Sequence, residues 1–174
     1  MKTSKFILGM LLLIFFVSSC YTRPPQQIPP EPLMVEVQVD KPIYRIGEFI
    51  VLTARSNQDC YLALYDISTV GEVTQIFPNR YAEDNLIRGG QIYRIPTQTD
   101  SFDYEVTGPP GIERVRAVCT QKNVNIVDPA MVSKQETFPY IQQTAPQFEQ
   151  SLNQKLGTIP SEQWAEASIT FQVQ

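Results

Sequence analysis

Three cysteines are the residues best suited to covalent chemistry in this chain of 174 residues, and no histidine accompanies them. Cysteine can carry a lipid, form a disulfide or act as a nucleophile. The absence of histidine from the sequence excludes serine and cysteine nucleophiles that a histidine activates, and also histidine ligands for zinc or haem. We therefore expect a protein that is not an enzyme, with no catalytic residues, no cofactor and no metal site.

Cys20 follows a segment that is typical of export. Lys2 and Lys5 form a short basic start, an apolar stretch runs over residues 6–17, and Ser18-Ser19 precede the cysteine. This pattern predicts a signal peptide over residues 1–19. The Ser18-Ser19-Cys20 run resembles the lipobox of bacterial lipoproteins, which implies cleavage before Cys20 and acylation of that residue. A plain signal peptide with an incidental cysteine and an uncleaved anchor helix are the alternatives.

Lipidation of Cys20 would make the lipid bilayer the first partner of this protein. Two or three acyl chains on one cysteine hold a protein at a membrane far longer than a single chain does. Tyr21 stands where the enterobacterial sorting rule places an aspartate for inner-membrane retention. By that resemblance we expect a lipid anchor in the outer membrane, with the protein facing the periplasm. Residues 20–33 contain five prolines and predict an extended tether.

The charge of the mature chain argues against nucleic acid as a partner. Removal of residues 1–19 would delete two lysines and leave a net charge of −6. An acidic domain has no electrostatic attraction for phosphate backbones. We therefore expect no nucleic-acid partner.

Cys60 and Cys119 remain as a possible disulfide after lipidation. Both lie in predicted core strands, and an exported protein can be oxidised. Their separation of 59 residues resembles that of the bridge between the two sheets of immunoglobulin-like domains, although no tryptophan follows Cys60 at the corresponding place. Two buried free thiols are the alternative, because free cysteine is among the most buried residue types.

Four arginines are weak candidates for binding a carboxylate or phosphate. Arg114 and Arg116 share one strand face, and Arg88 and Arg94 lie near a second hairpin. Guanidinium groups bind such anions in a bidentate geometry. The ordinary alternative is a solvated strand face whose arginines pair with Glu113 and Glu105.

Other polar and aromatic groups give weaker indications. Residues 79–85 collect oxygen ligands that calcium prefers but lack the spacing of a known calcium loop, so a polar connection is favoured. Tyr61 and Tyr65 share a face and could stack on a sugar, although core packing is favoured for them and for Trp164. We expect no acid in an apolar setting that would raise its pKa, and hence no carboxylate pair for glycoside cleavage.

Short runs of alternating polarity separated by turn signals predict a mainly β fold. The predicted strands cover residues 35–39, 49–55, 60–67, 73–77, 91–95, 102–106, 115–119 and 168–173. The run 60–67 is almost continuously apolar, as expected of a strand buried on both faces. One helix is predicted from an N-cap at Thr144 to Gly157, with Phe148, Leu152 and Leu156 as its apolar stripe. Ser161 to Trp164 predict a further short helical turn.

The order of several motifs resembles that of a known family. Tyr44-x-x-Gly47-Glu48 comes first, Ile76-Phe77-Pro78-Asn79 follows, and Gly108-Pro109-x-Gly111 and Trp164-Ala165 complete the series. Together they resemble an uncharacterised bacterial envelope family, a domain of unknown function found in lipoproteins and behind modules such as protein-kinase domains. The resemblance spans roughly residues 34–174. It implies a fold and a compartment, and no activity.

Together these observations predict three regions and a binding role. Residues 1–19 are the signal peptide, residues 20–33 the lipidated tether, and residues 34–174 an immunoglobulin-like antiparallel β-sandwich of about seven or eight strands with one short C-terminal helix. We expect a membrane-anchored, non-enzymatic interaction module that contacts another envelope protein through residues 78–90 and 121–143. A lipoprotein that binds a small ligand or glycan is the alternative.

Overall fold

The computed structural model describes residues 31–133 and 138–174. The predicted signal peptide, Cys20 and residues 20–30 of the tether lie outside the described residues. The strands are β1 Val35–Val39, β2 Ile43–Tyr44, β3 Phe49–Ile50, β4 Leu52–Ser56, β5 Cys60–Ile67, β6 Val73–Phe77, β7 Leu86–Ile87, β8 Ile92–Ile95, β9 Tyr104–Glu105, β10 Gly111–Thr120, β11 Tyr140–Ile141 and β12 Trp164–Val173. Helix α1 covers Ala145–Leu156, and single 3-10 turns cover Pro129–Met131 and Ser161–Gln163.

Two sheets and a short ribbon organise these strands. The larger sheet has the order β11-β6-β5-β10-β12-β2, and β7 pairs with the start of β5. The smaller sheet has the order β1-β4-β8, and β3 pairs with β9 as the ribbon. Every pair is antiparallel except β12 with β2. The predicted mainly β sandwich with one C-terminal helix is therefore confirmed.

The larger sheet is covered on both faces. Side chains of Leu62 and Leu64 join an apolar cluster with residues of the smaller sheet, such as Val37 and Leu52. The intervening residues of β5 join a second cluster with helix α1. Because successive side chains of a strand point to opposite faces, a strand between two apolar layers must be apolar nearly throughout. This explains the composition of β5.

Helix α1 begins and ends where the local signals predict. The backbone N–H of Thr144 donates to Gln147 Oε1 at 3.0 Å, which satisfies a group at the helix start. Phe148, Leu152 and Leu156 are buried, and the Phe148 ring centroid lies 5.0 Å from that of Tyr65. The helix therefore seals the outer face of the larger sheet.

The elements that differ from prediction are short, interrupted or longer than expected. Strands β10 and β12 have ten residues each and begin four residues before the predicted strands 115–119 and 168–173. The predicted strand 49–55 is divided at Val51, so that its first part pairs with β9 and its second with β1 and β8. The two-residue strands β2, β7 and β11 were not predicted. Trp164 is not in a helical turn, because it is the first residue of β12, where it packs partly buried against the cluster beneath α1.

Residues 31–33, which the sequence assigns to the tether, pack on the sandwich. Leu33 is 5% exposed within the first apolar cluster. The side-chain amides of Asn57 and Gln58 donate to the carbonyls of Pro32 and Glu31, at 2.8 and 2.6 Å. These bonds fix the chain on the sandwich from residue 31. In the described part of the chain, no helix is long and apolar enough to cross a membrane.

Candidate functional site

Cys60 and Cys119 form a disulfide in the interior of the sandwich. Both side chains are fully buried, and their Cα atoms are 5.6 Å apart. The two cysteines lie on β5 and β10, which are neighbours in the larger sheet, where Cys119 faces Leu62. The bridge therefore joins two strands of one sheet, unlike the bridge between sheets that the 59-residue spacing suggested.

Arg114 and Arg116 bind acids of the protein itself. Arg114 Nη2 is 2.6 Å from Glu149 Oε1 on helix α1, and Arg116 contacts both Glu149 and Glu166. The alternative partners Glu113 and Glu105 were wrong, because the arginines pair with Glu149 and Glu166, and Glu113 lies on the opposite face of β10. A partly buried arginine that is held by two carboxylates has little capacity left for an external anion. These arginines dock the helix on the sheet.

The other two arginines lie elsewhere on the surface. Arg88 pairs with Asp59 at 2.6 Å, and Arg94 is exposed on β8 opposite Thr53. Arg88 follows β7 near Cys60, whereas Arg114 is aligned with Ile67 at the other end of β5. Eight residues of β5 separate the two ends by roughly 23 Å. The structure does not bring the four arginines together into one anion site.

The candidate calcium loop uses its oxygens for its own turns. Asn79 Oδ1 accepts the backbone N–H groups of Tyr81 and Ala82, at 2.8 and 3.0 Å. Asp84 Oδ1 accepts the N–H of Leu86 at 3.1 Å. Within residues 31–133 and 138–174, no three acidic or cysteine side chains are placed to hold one metal ion. The loop is a polar connection in this structure.

Tyr61 and Tyr65 do not form an exposed aromatic platform. Tyr65 is 2% exposed and packs on Phe148 of helix α1. Burial in this apolar layer raises the pKa of the Tyr65 hydroxyl well above its usual value. Tyr65 is therefore a core residue, and Tyr61 at the start of the strand is only half-buried.

A cavity of about 670 Å³, which we call the acidic–aromatic cavity, is the site that sequence reasoning missed. It lies beside the ribbon strand β9 and the far end of β5. Its lining includes five carboxyl side chains, those of Asp66, Glu72, Asp103, Glu105 and Glu113. Its lining also includes five aromatic side chains, those of Tyr81, Phe102, Tyr104, Phe138 and Tyr140. No lysine or arginine among the described residues lines it.

Asp66 is the most deeply buried carboxyl of this cavity. It follows Leu62 and Leu64 on the face of β5 that turns toward the smaller sheet, and it is 4% exposed. Its Oδ1 atom is buried and has no hydrogen-bond partner among the described residues. Burial, reinforced by the nearby Glu113, raises the pKa of Asp66 to about 8.

Glu113 and Tyr104 complete the polar floor of the cavity. Glu113 lies on β10 one step diagonally from Asp66, is 5% exposed, and has a pKa raised by burial. The pKa of the Tyr104 hydroxyl is raised well above 10, first by burial and then by the charge of Asp66. The interaction of this hydroxyl with Asp66 lowers the pKa of that carboxyl in part. Our expectation that no acid has a raised pKa was therefore wrong.

Aromatic rings form the wall above these carboxyls. The Tyr81 and Phe102 rings stack, with centroids 6.2 Å apart and planes 19° apart. Phe138 meets Phe102 and Tyr104 edge to face, at 5.6 and 5.3 Å. Tyr81 lies in residues 78–90 and Phe138 in residues 121–143, the two segments that we expect to contact a partner. Ring faces above buried carboxyls provide two kinds of attraction for a positive group.

One signal in the sequence could have revealed the floor of the cavity. Asp66 is the single charged residue in the otherwise apolar run 60–67. An acid in a strand buried on both faces must be paired, protonated or beside a cavity. The aromatic wall carried no such signal, because Phe138 comes from a segment without regular patterning and the predicted strand 102–106 gives no indication of which rings Phe102 would meet.

Comparison with known proteins agrees with the resemblance over part of the chain. No curated protein and no solved structure matches this chain. Residues 43–123 match the family model described as a domain of unknown function, DUF4384. This matched region contains Asp66, Tyr104 and Glu113, whereas Phe138, helix α1 and β12 lie beyond it.

Proposed function

We propose that this protein is a lipid-anchored, non-enzymatic interaction module of the cell envelope, and that its acidic–aromatic cavity contacts the partner. The observation that carries the proposal is the cavity itself, about 670 Å³ in volume, at one end of a sandwich that has a disulfide in its core. A volume of this size is typical of specific binding sites. A rigid frame keeps the cost of ordering the site low.

The wall of the cavity supports binding in preference to catalysis. Its residues are carboxyls, hydroxyls and aromatic rings, which provide attraction and shape. A partner that inserts a side chain would exclude water and bury the Tyr81 ring, which is 54% exposed.

The anchor is proposed from the sequence of residues 1–20. Acylated Cys20 would hold the protein in the outer membrane facing the periplasm, and the proline-rich segment would separate the domain from the bilayer. Cys20→Ser removes the acceptor sulfur. We expect the variant to leave the membrane fraction, and persistence of the variant there after a high-salt wash would contradict lipid anchoring.

Photocrosslinking in the living cell tests the interaction role. A photoreactive amino acid replaces Tyr81 on the rim of the cavity. In the control protein it replaces Glu36, which lies on the exposed face of β1. We expect one discrete adduct from position 81, and we expect this adduct to disappear when Asp66→Asn is added. Any adduct from position 36 should be unaffected by Asp66→Asn. Equal adducts from both positions, unaffected by the Asp66 change, would refute the proposal.

A small-ligand or glycan-binding role is the second candidate. The stacked Tyr81 and Phe102 rings favour it, because sugar rings pack on aromatic faces. In that case purified protein binds soluble cell-wall fragments saturably and Tyr81→Ala weakens the binding. An adduct of protein size at position 81, without such binding, favours the first candidate.

A further inference from the structure

We propose that the acidic–aromatic cavity binds an organic cation, an ammonium or guanidinium group; this inference rests on the function proposed above and names the chemistry of its ligand. The group would sit over the Asp66–Glu113 floor with the aromatic wall around it. Its source is either a lysine or arginine side chain of a partner protein or a free amine, and the two sources share this chemistry.

Uncompensated charge is the first argument. Five carboxyl side chains line the cavity, and the described residues place no lysine or arginine in its lining. Two of the five, Asp66 and Glu113, are 4% and 5% exposed, so that water screens them poorly. A buried carboxyl either holds a proton or, once ionised, needs a positive group as its partner. An incoming cation would supply that missing partner.

The unpartnered oxygen of Asp66 is the second argument, and it is independent of the first. Asp66 Oδ1 is buried without a hydrogen-bond donor among the described residues, although Asp66 lines the cavity. Leaving a buried polar atom without a partner costs free energy that a ligand can recover on binding. Ammonium and guanidinium groups are donors only, so they match an acceptor in this state.

The aromatic wall selects an organic cation over a metal ion. A cation is attracted to the face of a tyrosine or phenylalanine ring within about 6 Å of its centroid. Tyr81, Phe102, Phe138 and Tyr104 form a connected set of rings in this wall. In contrast, no three acids of the described chain converge closely enough to ligate one metal ion. A cavity of about 670 Å³ also exceeds the space that a single ion needs.

The protonation of Asp66 should make cation binding depend on pH, which provides a second measurement of the proposal. Asp66 shares the cavity with Glu113 on β10, Tyr104 and Glu105 on β9, and the rim acids Glu72 and Asp103, and the first two act on its pKa. Because the pKa of Asp66 is about 8, the carboxyl holds a proton near neutral pH and must release it to pair with a cation. Cation affinity should therefore rise at least tenfold from pH 6 to pH 9, with proton release that a change of buffer detects.

Isothermal titration calorimetry of the full-length protein in nonionic detergent is the direct test. The probes are N-acetyl-lysine amide, putrescine as a free diamine, and 1,4-butanediol as the neutral match of putrescine. At about pH 8.5 we expect saturable binding of at least one cation and none of the diol. Tighter binding of the lysine amide assigns the ligand to a partner's side chain, and tighter binding of putrescine assigns it to a free amine.

Variants decide whether the binding takes place in the cavity. Asp66→Asn keeps the shape of the side chain and should weaken cation binding at least about tenfold. Glu113→Gln provides a second variant should the first fail to fold, and Glu36→Gln on β1 is the charge-matched control with unchanged affinity. Absence of cation binding, equal binding of the diol, or an unchanged affinity of both cavity variants would overturn the proposal.

The crosslinking experiment keeps this inference separate from the function it rests on. If an adduct at position 81 depends on Asp66 but no cation binds, the interaction role stands and the cation is refuted. If a cation binds with the expected pH dependence and no adduct forms, the ligand stands and the partner role is refuted.

Discussion

Substitution of Asp66 by asparagine should remove a large part of the pH dependence of stability. In the folded protein the pKa of Asp66 is about 8, against 3.8 for an ordinary aspartate. Between these two values the folded protein holds a proton that the unfolded chain has released. The free energy of unfolding therefore falls as the pH rises through this window. The stability that the proton on Asp66 contributes to the folded protein is fully present below about pH 4 and is lost above about pH 8.

The size of the effect follows from the same values. A pKa difference between 3.8 and about 8 corresponds to roughly 6 kcal/mol for one carboxyl. Water that enters the open side of the cavity and the coupled titration of Glu113 reduce the part that belongs to Asp66 alone. We therefore expect wild type to lose about 2–4 kcal/mol of this contribution between pH 4.5 and pH 8.5. An asparagine side chain has no such proton to lose, so Asp66→Asn should be more stable than wild type at pH 8.5.

Urea unfolding followed by the fluorescence of Trp164 measures this effect. Trp164 is the single tryptophan of the chain, and it packs partly buried beneath helix α1. The full-length protein in nonionic detergent is unfolded at pH 4.5, 6.5 and 8.5, without a reductant so that the disulfide stays intact. Asp103→Asn, an exposed acid on the cavity rim, is the matched control and should keep the wild-type dependence. Parallel pH profiles for wild type and Asp66→Asn would refute the reasoning about the cavity floor.

Three further changes test the frame of the sandwich. Replacing Cys60 and Cys119 together by alanine should cost about 2–5 kcal/mol in urea unfolding, because the bridge closes a long loop, and equal midpoints would contradict this. Gly89→Ala should cost about 1–3 kcal/mol, because its Cβ would lie 2.7 Å from a backbone atom. Gly157→Ala, whose nearest contact would be 3.3 Å, is the control and should cost clearly less than Gly89→Ala. Glu149→Gln weakens both arginine pairs of β10 and should cost about 1–2 kcal/mol, with proteolysis at α1 as a second measurement; unchanged stability and proteolysis would show that these pairs do not dock the helix.

Local sequence patterns predicted the strands and the helix whose residues next to one another in sequence determine their bounds. Strands β5 and β6 have the predicted bounds. A nearly continuous apolar run identifies β5 whichever strand it pairs with, and Gly71 and Pro78 delimit β6. Helix α1 was equally predictable, since its cap, its stripe and its terminating Gly157 are all adjacent in sequence. Such elements depend little on distant residues.

Pairing partners could not be predicted in the same way. Strands β2, β7 and β11 have two residues each and exist only because a longer strand lies alongside. The ion pairs of Arg114 and Arg116 depend on where helix α1 docks, 33 to 35 residues further along the chain. Spacing along β10 showed that the two arginines share a face, but it contained no information about which acid would reach them.

The position of the acidic pair connects the fold to the proposed site. Helix α1 covers one face of the larger sheet and the smaller sheet covers the other, so that β5 and β10 have apolar surroundings over most of their length. A carboxyl in the middle of these strands would have neither water nor a partner. Asp66 and Glu113 lie instead near the end of this interior, where the ribbon strand β9 leaves a cavity and places Tyr104 against them. The apolar layers thus set the raised pKa of the floor, and the cavity gives a ligand access to it.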